Sequence, residues 1–158
     1  MGNKYAVPIH VTNSVYPAPA ATAWLLTPAQ PDLHLTELSV TLALSDYSLY
    51  VYNAIVDLYR VAVLGTATGT AFTPVPVNCP DGRPALSTAV VNLTTEPTSV
   101  NVIKTWTLKP QDMISLQWED GNGPVASYNS GFALGLRVQA QGNSATDVNI
   151  RTYVEFGE

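Results

Sequence analysis

His10 and His34 are the only imidazoles in the sequence, and each adjoins apolar residues in a predicted strand. A metal site built on them would need a carboxylate and a meeting of distant segments, because three or four ligands must converge. A partly exposed or hydrogen-bonded strand histidine is the simpler reading of both. Cys79 is the only cysteine, which excludes an intrachain disulfide and a zinc site made of thiolates. It reads as a small residue in the loop Val77-Asn78-Cys79-Pro80 rather than as a nucleophile. Glycoside hydrolysis needs two carboxylates roughly 5 to 9 Å apart. Glu119 and Asp120 are adjacent beside Gly121, and they read as the opening of a Gly-rich hairpin. The stretch Glu119-Asp120-Gly121-Asn122-Gly123 also lacks the alternating oxygen ligands and distal Glu of a calcium loop. Phosphate loops, nucleophile elbows and paired-histidine zinc motifs are absent from the sequence. These residues predict a protein that is not an enzyme and carries no cofactor or metal.

The aromatic residues offer a different kind of chemistry. Trp106 and Trp118, with Tyr128 and Phe132, could stack on sugar rings. The register of Trp118 and Phe132 instead points them toward a core. Tyr47, Tyr50, Tyr52 and Tyr59 crowd one region, and tyrosine suits interfaces because it joins apolar area to a polar tip. That region reads as an interaction surface before it reads as a ligand pocket.

Charge sharpens the point. Only 12% of the 158 residues are charged, against about 25% in an ordinary soluble protein. Interface cores are where charge is depleted, so much of this surface is expected to meet other polypeptides. Seven basic residues against twelve acidic ones give a net charge of −5, with no basic stripe for phosphate. Nucleic acid is therefore not an expected partner. The segment Met1-Gly2-Asn3-Lys4-Tyr5 lacks the apolar stretch of a signal peptide, and no run of about 18 apolar residues occurs. The expectation is a soluble chain made in a cytoplasm, with no membrane partner. Asn92-Leu93-Thr94 matches the glycosylation pattern only by chance on that reading.

The elements that must position these residues are strands. Alternation puts Ile114, Leu116 and Trp118 on one face. It does the same for Phe132, Leu134, Leu136, Val138 and Ala140 against Ala133, Gly135, Arg137 and Gln139. Val148, Ile150, Val154 and Phe156 likewise oppose Asp147, Asn149, Arg151, Tyr153 and Glu155. Gly121-Asn122-Gly123-Pro124 and Gly142-Asn143-Ser144 supply turns, suggesting antiparallel connections. Leu38, Val40, Leu42 and Leu44 alternate out of phase with Leu33 and Leu35, which predicts a bulge or break between them. Val7, Ile9 and Val11 alternate around Pro8, which implies an edge or a strand start. Trp24, Leu25 and Leu26 form a short strand. The β-branched and aromatic content of 53–64 favours strand over helix, with a short helical turn near 45–53 as an option. Gly65 to Pro84 reads as a long excursion. Eight to ten short strands in one domain over 1–158 predict an antiparallel jelly-roll-like β-sandwich, with an immunoglobulin-like sandwich as the alternative. Residues 1–30 are a candidate extended arm.

Several motifs in the last two-thirds of the chain resemble a family of small virion proteins encoded by tailed phages. They are Gly65-Thr66-Ala67-Thr68-Gly69-Thr70-Ala71-Phe72-Thr73-Pro74, Thr95-Glu96-Pro97-Thr98, Gly131-Phe132-Ala133-Leu134-Gly135-Leu136-Arg137-Val138 and Val154-Glu155-Phe156. The resemblance implies a jelly-roll-like capsid decoration, or cement, protein that sits as a homotrimer on the outside of an icosahedral shell. Its partners would be copies of itself and the major capsid protein, and its location the virion surface. Tyr5 to Tyr52 departs from the family, which leaves the particle-specific contacts open. Tyr5, Tyr16, Tyr47, Tyr50, Tyr52, Phe72 and Pro74 are the candidate interface residues. The competing function is a carbohydrate-binding module of a phage tail or surface appendage.

Overall fold

The computed structural model describes residues 2–14, 20–44, 51–109, 112–119, 121–130, 132–142 and 147–158. The side chains of 10–14, 43–44, 51–52, 130, 140–142 and 147–148 lie outside that description. Twelve strands account for most of it: β1 (Lys4–Ser14), β2 (Ala21–Thr27), β3 (Leu33–Leu44), β4 (Val51–Val63), β5 (Thr68–Phe72), β6 (Val75–Asn78), β7 (Thr88–Thr95), β8 (Ser99–Leu108), β9 (Met113–Gln117), β10 (Val125–Ala126), β11 (Leu134–Gly142) and β12 (Asp147–Gly157). One 3-10 turn, Tyr128–Ser130, joins them.

The strands form two antiparallel sheets packed face to face. The first runs β10-β3-β12-β1-β6, with β9 also on β3, and the second runs β5-β7-β2-β11-β4-β8. Among the described residues no strand pairs with its neighbour in sequence, unlike the immunoglobulin arrangement, where several consecutive strands lie side by side. The ladders follow one rule instead. Lys4 faces Gly157, Leu26 faces Leu134, His34 faces Val125 and Val61 faces Val100. Each pair is centred on about residue 80, so the chain is one long hairpin. Rolling that hairpin brings β3 onto β12 and β4 onto β11. The result is the two-Greek-key jelly roll.

This order corrects two expectations. The Gly121 turn does not close a hairpin, because β9 and β10 both pair with β3 and not with each other. Nor do the described strands of 1–30 form an arm, since β1 lies between β12 and β6, and β2 between β11 and β7. The 65–84 excursion forms β5 and β6, which extend the two sheets at their β2 and β1 sides.

Between the sheets lie Trp24, Tyr5, Phe156 and a set of leucines, all fully buried. Each such side chain stabilises the fold by about 1.5–3 kcal/mol relative to exposure. Tyr5 and Phe156 pack at 5.8 Å between ring centroids. The offset in β3 is a bulge: Glu37 faces Glu155 but Leu35 faces Phe156, leaving Thr36 as the extra residue. Pro8 sits in β1 just beyond the reach of β6, which pairs only with Lys4 to Ala6, so its missing N–H is tolerated.

A second apolar cluster lies on the outer face of the second sheet, made of Leu25, Tyr59, Val61, Leu93 and Ala133. Asn92, at a φ of 51°, bends β7 here. Thr88–Val91 pair with β2, while Thr95 pairs only with Thr68 of β5. The departing segment brings Leu93 over the sheet, with Ala67 and Val100 packed against it. Gly135 is required beneath, because a Cβ there would lie 2.5 Å from the Tyr59 ring.

Candidate interaction site

Among the described residues, the chemistry-bearing residues named above lie apart from one another. His34 pairs with Gly157 and His10 with Arg151, six positions apart along β12, so their backbones are about 20 Å apart. His34 Nδ1 is buried without a partner. Glu119 is exposed and its carbonyl accepts the Asn122 N–H at 2.9 Å, closing a turn. Cys79 Sγ lies half-buried, 3.4 Å from the Lys4 carbonyl. Among the described residues, no three of His, Cys, Asp and Glu group as metal ligands.

The sugar platform does not assemble either. Trp106 is on β8 of the second sheet, while Trp118 follows β9 of the first, and both pack partly against the core. Phe132, expected inward, is 37% exposed. β11 starts only at Leu134, and the buried residue beside Phe132 is Ala133, whose carbonyl accepts the Val61 N–H.

The expected interface residues fall in different places. Tyr5 is fully buried and donates to the Arg83 carbonyl at 2.8 Å, which makes it a core residue. Burial raises its phenol above the ordinary value. Phe72 is half-buried against the core, and Pro74 is buried. Tyr5 is thus a core residue by its place in the β1·β12 ladder, whereas Phe72 and Pro74 lie where β5 and β6 fold the excursion onto the sandwich. Tyr16, Tyr47 and Tyr50 lie outside the described residues. Tyr52 lies in β4, with its side chain outside the description.

Among the described residues, one long sheet edge is left open. β5 has five residues, β6 four including Pro76, β9 five and β10 two. Short edges and proline discourage pairing with a foreign strand. β8 has ten residues, pairs among the described residues only with β4, and exposes seven of them. Val102 (46% exposed) and Ile103 (43%) stand on it, and Val63 (51%) and Leu64 (44%) stand at the adjoining end of β4. This corner was legible in part: Val100-Asn101-Val102-Ile103 breaks strict alternation, which signals a strand without a clean buried face.

Beside that edge runs a chain of polar groups. Thr105 donates to Asp57 at 2.7 Å, and Arg137 Nε donates to the other Asp57 oxygen at 3.0 Å. The Arg137 guanidinium stands 5.7 Å from the centre of the Tyr59 ring. Thr22 donates both its N–H and its hydroxyl proton to the Glu96 carboxylate, so the Tyr59 hydroxyl must be the donor in its 2.7 Å contact with Thr22. Burial, aided by the Glu96 charge, holds the Tyr59 phenol well above its ordinary value.

Two depressions lie on the first sheet. One, of about 390 Å³, is lined by Pro8, Ser39, Thr41, Arg151 and Tyr153 among others. Burial and the hydrogen bond to Glu155 push Tyr153 up to about 12. The other, of about 410 Å³, is lined by Gly2, Lys4, His34, Thr36 and Gly157 among others.

No protein-family model matches this chain, and no curated protein matches it.

Proposed function

We propose that this chain is a structural virion protein, a capsid decoration or cement protein that binds the outside of a phage shell as a homotrimer. The observation that carries the reading is a low-charge surface on a jelly-roll scaffold. Only 12% of residues are charged, while apolar side chains such as Val63, Val102 and Met113 stand exposed. Apolar surface without flanking charge gains free energy when another polypeptide covers it, at roughly 25 cal/mol per Å² before the costs of association. The mechanism is passive, because copies bound only to the assembled shell stabilise it by mass action. The partners are further copies and the major capsid protein, with no nucleic acid, membrane, cofactor or catalysis involved. The resemblance of the motifs read in the sequence to those of tailed-phage virion proteins supports the same reading, and the fold alone does not decide it. Light scattering of the purified protein should give a trimer or a whole multiple of one, and bare capsids should bind it saturably and melt at a higher temperature. A monodisperse monomer that ignores capsids would overturn the reading.

The groove around Tyr153 favours a second reading, a carbohydrate-binding module, since it joins a tyrosine ring to Ser39 and Thr41 hydroxyls. Glycan-array binding that is lost in Tyr153→Ala, with the melting transition kept, would support that reading over the first.

A further inference from the structure

The free edge of the second sheet carries its own complement. On the β4 side, Lys104, Trp106 and Leu108 face Leu58, Val56 and Ala54, which are core residues, so these three lie on the inner face. Val100 and Val102 face Val61 and Tyr59 of the outer cluster, and Thr105 faces Asp57, so these lie on the outer face. The switch occurs at Ile103, the extra residue where the register shifts between Leu58 and Tyr59.

That one extra residue has a geometric consequence. When a strand pairs antiparallel with its own copy about a twofold axis, residues opposite one another must point to the same face. In an unbulged strand this forces partners of equal parity. With the bulge at the axis, Ser99–Val102 instead matches Thr105–Leu108 of the copy over its whole length. Val102 meets Thr105, Val100 meets Thr107, and both pairs join β-branched side chains on the outer face, a favourable cross-strand combination. Asn101 meets Trp106 on the inner face.

We propose that β8 pairs in this register with β8 of a second copy of this chain, joining the two second sheets across a twofold axis. The remaining edges of the fold have two to five residues and could satisfy at most half of β8. An isologous contact also uses up both edges and closes, where pairing with an unlike edge would leave one open. The one charge on the strand, Lys104, lies next to the axis. Its Nζ is held 5.5 Å from the centre of the Trp106 ring, which draws each ammonium along its own strand and away from the other. Val102 and Ile103, exposed in the single chain, become the centre of the contact.

The contact does not depend on the virion reading; beside a threefold contact it would join trimers in pairs, and cross-linking tests it. Val102→Cys and Thr105→Cys are made separately in a Cys79→Ser background. Facing positions lie about 4.5–5.5 Å apart at Cα, within disulfide range. Two copies of position 102, or two of position 105, are about 10 Å apart along the strands, out of range. Mild oxidation of the mixed proteins should therefore give a covalent dimer on a denaturing gel, and each protein alone should not. Ile103→Lys, introduced into both cysteine variants, should abolish the dimer while leaving the melting transition in place. No bridge in the mixture, or equal bridging by either variant alone, overturns the proposal. So does an Ile103→Lys pair that folds and still bridges. A trimer by light scattering that forms no 102-to-105 bridge would leave the proposed function standing and remove only this contact.

Discussion

Thr152 is the one polar residue on the otherwise apolar inner face of β12, and Trp24 is the reason. Its hydroxyl accepts the indole N–H at 3.0 Å in a site where neither group meets water. Replacing it by Val keeps the volume and strands the donor, and a buried unsatisfied donor costs about 1–3 kcal/mol. Thr152→Val should lose that much in denaturant unfolding, while Thr152→Ser, which keeps the hydroxyl, should lose less. Tyr153 gives a second prediction at this scale. Its ordinary value is 10.0, and burial beside Glu155 raises it to about 12 in the folded chain. The unfolded chain therefore releases this proton first as pH rises. The stabilisation is whole below pH 10 and drains away between about pH 10 and 12. Melting temperatures recorded across that window should fall less steeply for Tyr153→Phe than for the parent, and equal slopes would show that this phenol does not titrate there.

The connection between β7 and β8 is an element held by one side chain. Glu96 accepts both donors of Thr22, pinning the segment that carries Leu93 over Leu25 and Tyr59. Removing the carboxylate leaves the Thr22 N–H unpaired, at about 1–3 kcal/mol, and frees the cover from the sheet. Glu96→Ala should raise amide exchange across residues 92–100 and admit an apolar dye, with the inner core still protected. Uniform loss of protection would mean that the cover and the sandwich unfold together. This cover also marks the limit of what the residues alone reveal. β9, β11 and β12 were readable because one side of each faces a core and alternation follows. Ala133 and Gly135 belong to the outer set by the same alternation, yet they are buried, because a distant segment folds over them. β5 and β6 gave no signal, since edge pairing holds them and their side chains remain largely exposed. Tyr5 looked like a surface residue by type, and only its place in the β1·β12 ladder makes it core. The β8 corner was half visible, as a strand that kept no clean apolar side.

At the scale of the molecule, the nested hairpin puts the most remote parts of the chain in contact. Lys4 pairs with Gly157, and the Glu158 N–H donates to the Asn3 carbonyl at 3.1 Å. Ladders of this span must close very large loops before they gain anything, so folding should be slow for the chain's size. The exposed Asp81-Gly82 turn lies near the tip about which the chain doubles back, and Gly82 has open space around it. Joining residue 158 to residue 2 by a short Gly-Ser linker and opening the chain between Asp81 and Gly82 turns β12·β1 into a local hairpin. It shortens the β3·β12 and β2·β11 separations as well, and lengthens β4·β8, β2·β7 and β5·β7, with the gain at β1·β12 the largest change. The native contacts are unchanged, so stability in denaturant should stay close to the parent's, whereas the refolding rate should rise by about tenfold. If the permutant folds no faster, the slow step does not involve bringing the two ends of the chain together, and the closing of β4 on β8 would be the ladder to test next.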